Sequence, residues 1–205
     1  MVVLRDVARG LEVYLVKRSR TVDFMAGAHV FPGGRLDQAD SSLAACAVRE
    51  TFEEAGLVLD AGALVPWVRW ITPEISPKRF DARFFLARAP EGQEPKVDGH
   101  EATEGVWIAP VAALQSWEEG GMQLAPATAK SIELLTAFAT VEAALAAAAM
   151  RPPPVAMPHV WNDPETGRAY ISLPGDPRHP EPDVLGGTIR RFELTEGRYR
   201  KVGAR

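Results

Sequence analysis

Cysteine is almost absent: Cys46 is the single thiol in 205 residues. A disulfide framework needs paired thiols, so that class is excluded, and a chain without staples suits a reducing cytosol. Long apolar runs are missing too. No stretch approaches the roughly 18–20 residues needed to span a bilayer, so no membrane partner is expected. The opening Met1-Val2-Val3-Leu4-Arg5-Asp6 lacks the basic, then apolar, then small plan of a secretory leader, and a cytoplasmic location is expected. Neither sign of charge dominates. The 23 basic residues face 27 acidic ones, for a net charge of −4, which argues against a dedicated nucleic-acid binder. His29, His100, His159 and His179 show no H-x-x-x-H or C-x-x-C spacing, so a zinc site is not indicated. Apolar residues, by contrast, make up 46% of the chain. That is enough for a sizeable core and too much for a disordered chain. Function must then reside in a local constellation.

Val2 to Arg5 and Leu11 to Val16 read as two strands joined through Ala8-Arg9-Gly10. Ala28 to Phe31 is a short strand stopped by Pro32-Gly33-Gly34. Ser41 to Ala55 is helical, with Ser41 or Ser42 as cap and Gly56 as left-handed stop. Val48, Phe52 and Ala55, with Ala44 or Ala45, set out its expected apolar stripe. Leu64 to Ile71, Phe80 to Ala87 and the surroundings of Val106-Trp107-Ile108 read as strands. Trp67 and Trp70, three apart on a strand, are expected on opposite faces. Pro126 to Met150 is alanine-rich helix, split near Phe138-Ala139-Thr140, with Thr140 capping the second piece. Arg151-Pro152-Pro153-Pro154 ends it as a stiff linker. The expected division is residues 1–150 as the functional domain and 151–205 as a Pro-rich linker with a small β-type appendage. The basic end, Arg198-Tyr199-Arg200-Lys201, is expected to be solvated. Strands interrupted by helices, with hairpins, give an α/β (α+β) layer structure with a mixed β-sheet.

Chemistry concentrates in Arg49-Glu50-Thr51-Phe52-Glu53-Glu54-Ala55-Gly56-Leu57. Glu50, Glu53 and Glu54 fall at i, i+3 and i+4, which places three carboxylates on one helical face. Like charges so placed destabilise a helix unless something positive sits among them. Arg49 supplies one positive charge, and a hard divalent cation such as Mg²⁺ or Mn²⁺ suits carboxylate oxygens. A solvated acidic helix face is the alternative reading. Cys46, with no histidine beside it in sequence, reads as a small buried residue rather than a nucleophile.

These residues resemble the box of the Nudix hydrolases, G-x5-E-x7-R-E-U-x-E-E-x-G-U with U a bulky apolar residue. Gly34, Asp40 and the run from Arg49 to Leu57 follow that order. Asp40 replaces the first glutamate, the spacer to Arg49 holds eight residues rather than seven, and Thr51 replaces an apolar residue. The resemblance covers roughly residues 1 to 145. It implies an αβα sandwich and a metal-dependent cleavage of a diphosphate in a nucleoside diphosphate derivative. Metal ligands would be Glu50, Glu53 and Glu54; Arg49 would hold a carboxylate in place, and Gly34 would let the loop pack closely on the helix. Glu101, six residues before Trp107, matches the place of the extra glutamate that takes a proton from water in some members, with Glu104 as alternative.

The stretch from Leu15 to Gly34 resembles the signature of the coenzyme A diphosphatase branch, L-L-T-x-R-[S/A]-x3-R-x3-G-x3-F-P-G-G. Leu15, Arg18, Ser19, Gly27 and Phe31-Pro32-Gly33-Gly34 match. Val16 stands for threonine, and Asp23 stands where the second arginine belongs. Trp70 to Glu74, followed by Arg79-Phe80-Asp81, is similar to the peroxisomal type and its bacterial relatives, although the chain ends Gly203-Ala204-Arg205 rather than S-K-L. Substrate contacts are therefore expected from Arg18, Gly33, Gly34 and Arg79, with Lys17 and Arg20 as further phosphate-binding candidates. The implied substrate is coenzyme A or acyl-coenzyme A, yielding 3′,5′-ADP and (acyl-)phosphopantetheine. The alternatives are hydrolysis of ADP-ribose, NADH or dinucleoside polyphosphates, or a non-catalytic nucleotide-binding module. The partner is a small-molecule nucleotide, and the reading allows a homodimer.

Overall fold

Strand β1 (Val2–Val7) turns through Ala8 and Arg9 into β2 (Gly10–Arg18), with Gly10 at φ 119°, a backbone region that favours glycine. The two pair antiparallel, Leu4 opposite Val13. Their side chains alternate. Val2, Leu4, Val13 and Leu15 enter one apolar cluster, and Val3, Tyr14 and Val16 the other, so the sheet is buried on both faces. The structure, a computed structural model, describes residues 1–19, 25–195 and 197–203.

Around this hairpin the chain adds β3 (His29–Val30), β4 (Val65–Ile71), β5 (Asp81–Arg88), β6 (Ala102–Ile108) and β7 (Val155–Ala156). The order is β3-β2-β1-β5-β4-β7, with β6 also on β2. The β1–β5 and β4–β7 pairs are parallel and the others antiparallel, so the sheet is mixed. Helix α1 (Leu43–Ala55) covers one face; α2 (Pro110–Glu118), α3 (Pro126–Leu135) and α4 (Val141–Ala149) cover the other, completing an αβα sandwich. Helix α1 begins where Ser42 Oγ accepts the Ala45 N–H at 3.1 Å. It ends at Gly56, left-handed at φ 68°, whose N–H reaches Phe52 O at 2.8 Å. Thr140 caps α4 in the same way, accepting from Ala143 N at 3.2 Å. No helix among the described residues is long and apolar enough to cross a membrane.

Past the prolines lies a second, antiparallel sheet: β8 (His159–Asn162), β9 (Ala169–Ser172), β10 (Arg191–Thr195) and β11 (Arg198–Lys201), in the order β11-β10-β9-β8. Leu173, Leu185, Ile189 and Phe192 enter the same apolar cluster as Trp117, Ile132 and Leu135. A buried ion pair fastens this junction. Lys130, 1% exposed, donates to Glu133 Oε2 at 2.6 Å and to Gly186 O at 2.5 Å. Glu133 Oε1 in turn accepts from Thr188 N, Thr188 Oγ1 and Ile189 N at 2.5, 2.7 and 2.8 Å.

Two local expectations change. On α1 the buried residues are Cys46, Thr51, Glu54 and Ala55, whereas Phe52 is 54% exposed. Thr51 fills the apolar box position at 0% exposure because its hydroxyl donates to Ala47 O at 2.7 Å, leaving no unpaired polar group. Trp67 and Trp70 enter the same cluster, because the β4–β5 register shifts between Pro66 and Val68 and the bulge breaks the alternation. The basic end keeps Arg198, Arg200 and Lys201 exposed, as expected, within strand β11, and Trp117 Nε1 donates to Tyr199 O at 2.9 Å.

Candidate active site

The end of β2 gathers the loops that matter. Arg18 N–H donates to Ala28 O at 2.9 Å, and Ser19 N–H donates to Glu101 O at 2.8 Å. The loop after β3 carries Pro32-Gly33-Gly34 back over α1, where Gly33 N–H donates to Glu54 Oε2 at 2.9 Å. Glu54 is 6% exposed, and burial pushes its carboxyl up to about 7, against the opposing pull of the Gly33 N–H. Glu50 raises it further and Arg18 lowers it, so Arg18 and Glu50 both feel the Glu54 charge. Gly34 has no room for a side chain, because a Cβ there would overlap the Glu50 carboxylate. The box glycine thus lets the loop lie directly against the acidic face.

Arg49 is the hub of the remaining carboxylates. Its Nε and Nη2 donate to Asp40 Oδ1 and Oδ2 at 3.0 and 2.9 Å, a bidentate grip. Its Nη1 sits 2.9 Å from both Glu53 Oε2 and Glu50 Oε1, and Nη2 also reaches Arg35 O at 3.1 Å. The guanidinium holds Asp40 down at about 2. Asp40, which replaces the box's first glutamate, therefore orients the arginine that in turn holds Glu50 and Glu53. Burial raises Glu50 despite Arg49, and Glu53 and Glu101 raise it further. Cys46 is buried, its Sγ 3.7 Å from Arg49 Nη2, and burial raises its thiol pKa, which disfavours a thiolate nucleophile.

The two base candidates separate. Glu104 is ion-paired with Lys17 Nζ at 2.8 Å, directly across β2 and β6. Glu101 is exposed and close enough to Glu50 to raise its pKa. Its backbone is held from both sides: Ser19 N–H donates to its carbonyl, and its own N–H donates to Asp98 Oδ2 at 3.1 Å. Asp98 Oδ1 also accepts from Ala102 N at 2.9 Å. His100 is exposed, so it does not orient Glu101 from a buried position. Lys17 is committed to Glu104. Arg79 lies in the β4–β5 loop with Nε on Thr72 O at 3.1 Å, and among the described residues none of its hydrogen bonds reaches the carboxylate cluster. Arg20 and Asp23 lie outside the described residues. Sequence reasoning overlooked Asp98; the turn pair Asp98-Gly99 before a strand was its signal.

Among the described residues, no three His, Cys, Asp or Glu side chains converge as a ready-made metal centre. Arg49 draws Glu50 and Glu53 one way, and the Gly33 N–H draws Glu54 the other. The donor chemistry nonetheless fits a hard divalent ion. All three side chains offer carboxylate oxygens from one helical face, two have raised pKa values from burial and mutual repulsion, and a side-chain-free glycine opens the loop above them.

Comparison with known proteins settles the family. The NUDIX domain model matches residues 1–128, well over half of the chain, and the protein belongs to the Nudix family. Hydrolases of this family act on nucleoside diphosphate derivatives and use divalent metal ions. Among curated relatives, the chain is 28% identical over 155 residues to putative nudix hydrolase 7 of Caenorhabditis elegans, covering 56% of this chain and 52% of that one. It is 23% identical to the acyl-coenzyme A diphosphatase NUDT19 of Xenopus laevis, covering 63% and 61%. The chain thus spans between half and two thirds of these relatives' lengths. A Nudix hydrolase crystal structure from Alicyclobacillus acidocaldarius superposes with a TM-score of 0.64 at 25% identity, over 74% of this chain and 95% of that one. The NUDIX domain of Shewanella oneidensis NrtR, solved with ADP ribose, shares the fold at a TM-score of 0.53 and 20% identity, over 64% and 80%.

Proposed function

We propose that residues 1–150 act as a diphosphatase on coenzyme A or acyl-coenzyme A, releasing 3′,5′-ADP and (acyl-)phosphopantetheine, and that residues 151–205 form an extension of this unit. The observation that carries the reading is the acidic face of α1 under the Gly33-Gly34 loop. Glu50, Glu53 and Glu54 would hold Mg²⁺ or Mn²⁺, which when bound offsets the diphosphate's charge and polarises the bond to be cut. Arg49, gripped by Asp40, fixes the orientation of Glu50 and Glu53. Arg18, at the end of β2 and within electrostatic reach of Glu54, would meet phosphate oxygens. The backbone of Gly33 and Gly34 would let the substrate approach closely. Glu101 would take the proton from the attacking water, because Glu104 is neutralised by Lys17. The location proposed is cytoplasmic.

Support for coenzyme A comes from the Leu15-to-Gly34 signature and from the relationship to an acyl-coenzyme A diphosphatase. The test is product release from coenzyme A, acyl-coenzyme A, ADP-ribose, NADH and diadenosine tetraphosphate, each with Mg²⁺ and with Mn²⁺. Coenzyme A thioester or free thiol is expected to give the highest kcat/KM, with 3′,5′-ADP as product. Faster cleavage of ADP-ribose transfers the assignment to that substrate.

A further inference from the structure

The sheet face that carries α1 holds a second basic group in line with Arg18. On β5, Phe85 and Ala87 pack with Ala55 and Leu57, while Ala82, Phe84 and Leu86 enter the cluster on the other face. Alternation along the strand therefore puts Arg83 on the α1 side. Arg18 is on that side too, because it pairs with Ala102, which packs in the same cluster as Ala55. The registers fix their level. Leu4 opposite Val13 sets Val2 level with Leu15, and Val2 also lies opposite Leu86. Three residues outward from that level stand Arg18 on β2 and Arg83 on β5. Two strand spacings, about 10 Å of backbone, separate them.

The loop after β3 spans this interval. It leaves β2 at the Val16–Val30 pair, and Phe31 meets Phe84 edge-on at 5.6 Å, beside Arg83. The next residues, Pro32-Gly33-Gly34, are those that lie against Glu50 and Glu54. Arg83 stands directly across from Arg69, and like charges so placed repel. Asp81 accepts from both. Arg69 takes the shorter contacts, Nε to Oδ1 at 2.7 Å and Nη2 to Oδ2 at 2.5 Å. Arg83 takes the longer ones, at 3.1 and 3.4 Å, and its side chain is 38% exposed. Two guanidinium groups thus share one carboxylate, and the three groups together carry one net positive charge. This surplus lies on the same sheet face as the surplus negative charge of α1. A guanidinium binds phosphate oxygens in a planar, bidentate fashion, so the pair of surpluses suits an anion held between them.

We propose that Arg83 is a second phosphate-binding residue of the site and grips the diphosphate of the substrate from the side opposite Arg18. The inference rests on the diphosphatase reading above and adds to it a binding residue outside the box of α1. Asp81, held by Arg69, is the positioning residue that keeps the Arg83 side chain on this face.

The full chain is titrated calorimetrically in Mg²⁺ with α,β-methylene-ADP, whose bridging carbon resists cleavage, so that affinity is read without turnover. Arg83→Ala should weaken binding about 10- to 150-fold, as expected for loss of a charge-assisted contact. Arg83→Lys should retain part of the affinity, as a cation without the planar fork. Arg88→Ala removes a cation from the same strand but from its other face, where Arg88 pairs with Asp6, and should bind like wild type. Equal melting temperatures exclude unfolding as the cause. In a second arm, Arg83→Ala should lower kcat/KM by the same factor for coenzyme A and for 3′-dephospho-coenzyme A, because both carry the diphosphate. A loss confined to coenzyme A would place Arg83 on the 3′-phosphate and overturn the diphosphate assignment. Analogue binding that is absent in wild type, or unchanged in Arg83→Ala, overturns the proposal, whatever the outcome of the substrate panel. A wild type that binds the analogue through Arg83 but leaves coenzyme A uncut defeats the coenzyme A reading and leaves the role of Arg83 standing.

Discussion

Two clusters of opposite charges sit in this molecule, and they are built to different ends. Around Arg49, one guanidinium faces three carboxylates, Asp40, Glu50 and Glu53, with Glu54 close behind; Arg49 is 32% exposed and Glu53 54%. Around Lys130, one ammonium faces one carboxylate at 1% and 10% side-chain exposure; the ammonium also donates to Gly186 O, and the other carboxylate oxygen accepts from Thr188 and Ile189. The second cluster is closed: its charges balance and its hydrogen bonds are made. The first has surplus negative charge beside an opening. A balanced buried network holds structure, whereas an unbalanced accessible one has capacity for another cation.

Breaking the first cluster at its chemistry should give the largest effect. Glu101→Gln is expected to cut kcat by roughly 10²–10⁴ with KM little changed, while Glu104→Gln stays near wild type, in steady-state assays with Mg²⁺. A large loss at Glu104 with none at Glu101 would reverse the assignment. Breaking the second cluster should act on stability. Lys130→Met leaves Glu133 buried and uncompensated, a loss of about 3–5 kcal/mol. At about 2–4 °C per kcal/mol for a chain of this size, calorimetry should show Tm falling by some 6–20 °C. Asp98→Ala sharpens the contrast from outside both. With its N–H partners at Glu101 and Ala102 lost, Glu101 should drift, and kcat should fall about 10- to 100-fold while Tm moves by only a few degrees.

The smallest effect concerns pH. Burial raises the Glu54 carboxyl from 4.5 to about 7, so the folded chain holds that proton more tightly than the unfolded chain. The associated stability is complete below the unfolded value and is lost as pH rises through the folded one. Metal-free protein should therefore weaken between about pH 4.5 and 7, by at most about 1.4 kcal/mol per unit. Denaturant titration in a chelator should show that slope, and Glu54→Gln should flatten it.

What was legible in the sequence were features coded by neighbours in the chain. Ser42, Gly56 and Thr140 declare helix ends through side-chain caps and a left-handed stop. The spacing of Glu50, Glu53 and Glu54 declares a shared face. What was not legible depends on partners far along the chain. The exposed Phe52 and buried Thr51 follow from how α1 sits on the sheet, and the common burial of Trp67 and Trp70 follows from a bulge against β5. Helix α2 passed unnoticed, because its buried Pro110, Ala113 and Trp117 offer only one short stripe. The grip of Asp40 on Arg49 and the pairing of Glu104 with Lys17 join residues whose geometry only the fold supplies.

The contrast between the two clusters reduces to one titration. Mn²⁺ binding to the full chain, followed by its electron paramagnetic resonance signal, compares wild type with Glu53→Gln and Lys130→Met. The account predicts saturable binding to wild type, at least tenfold weaker binding to Glu53→Gln, and wild-type affinity in the folded fraction of Lys130→Met. Equal affinity in wild type and Glu53→Gln would contradict the assignment of the acidic face of α1 as the metal site.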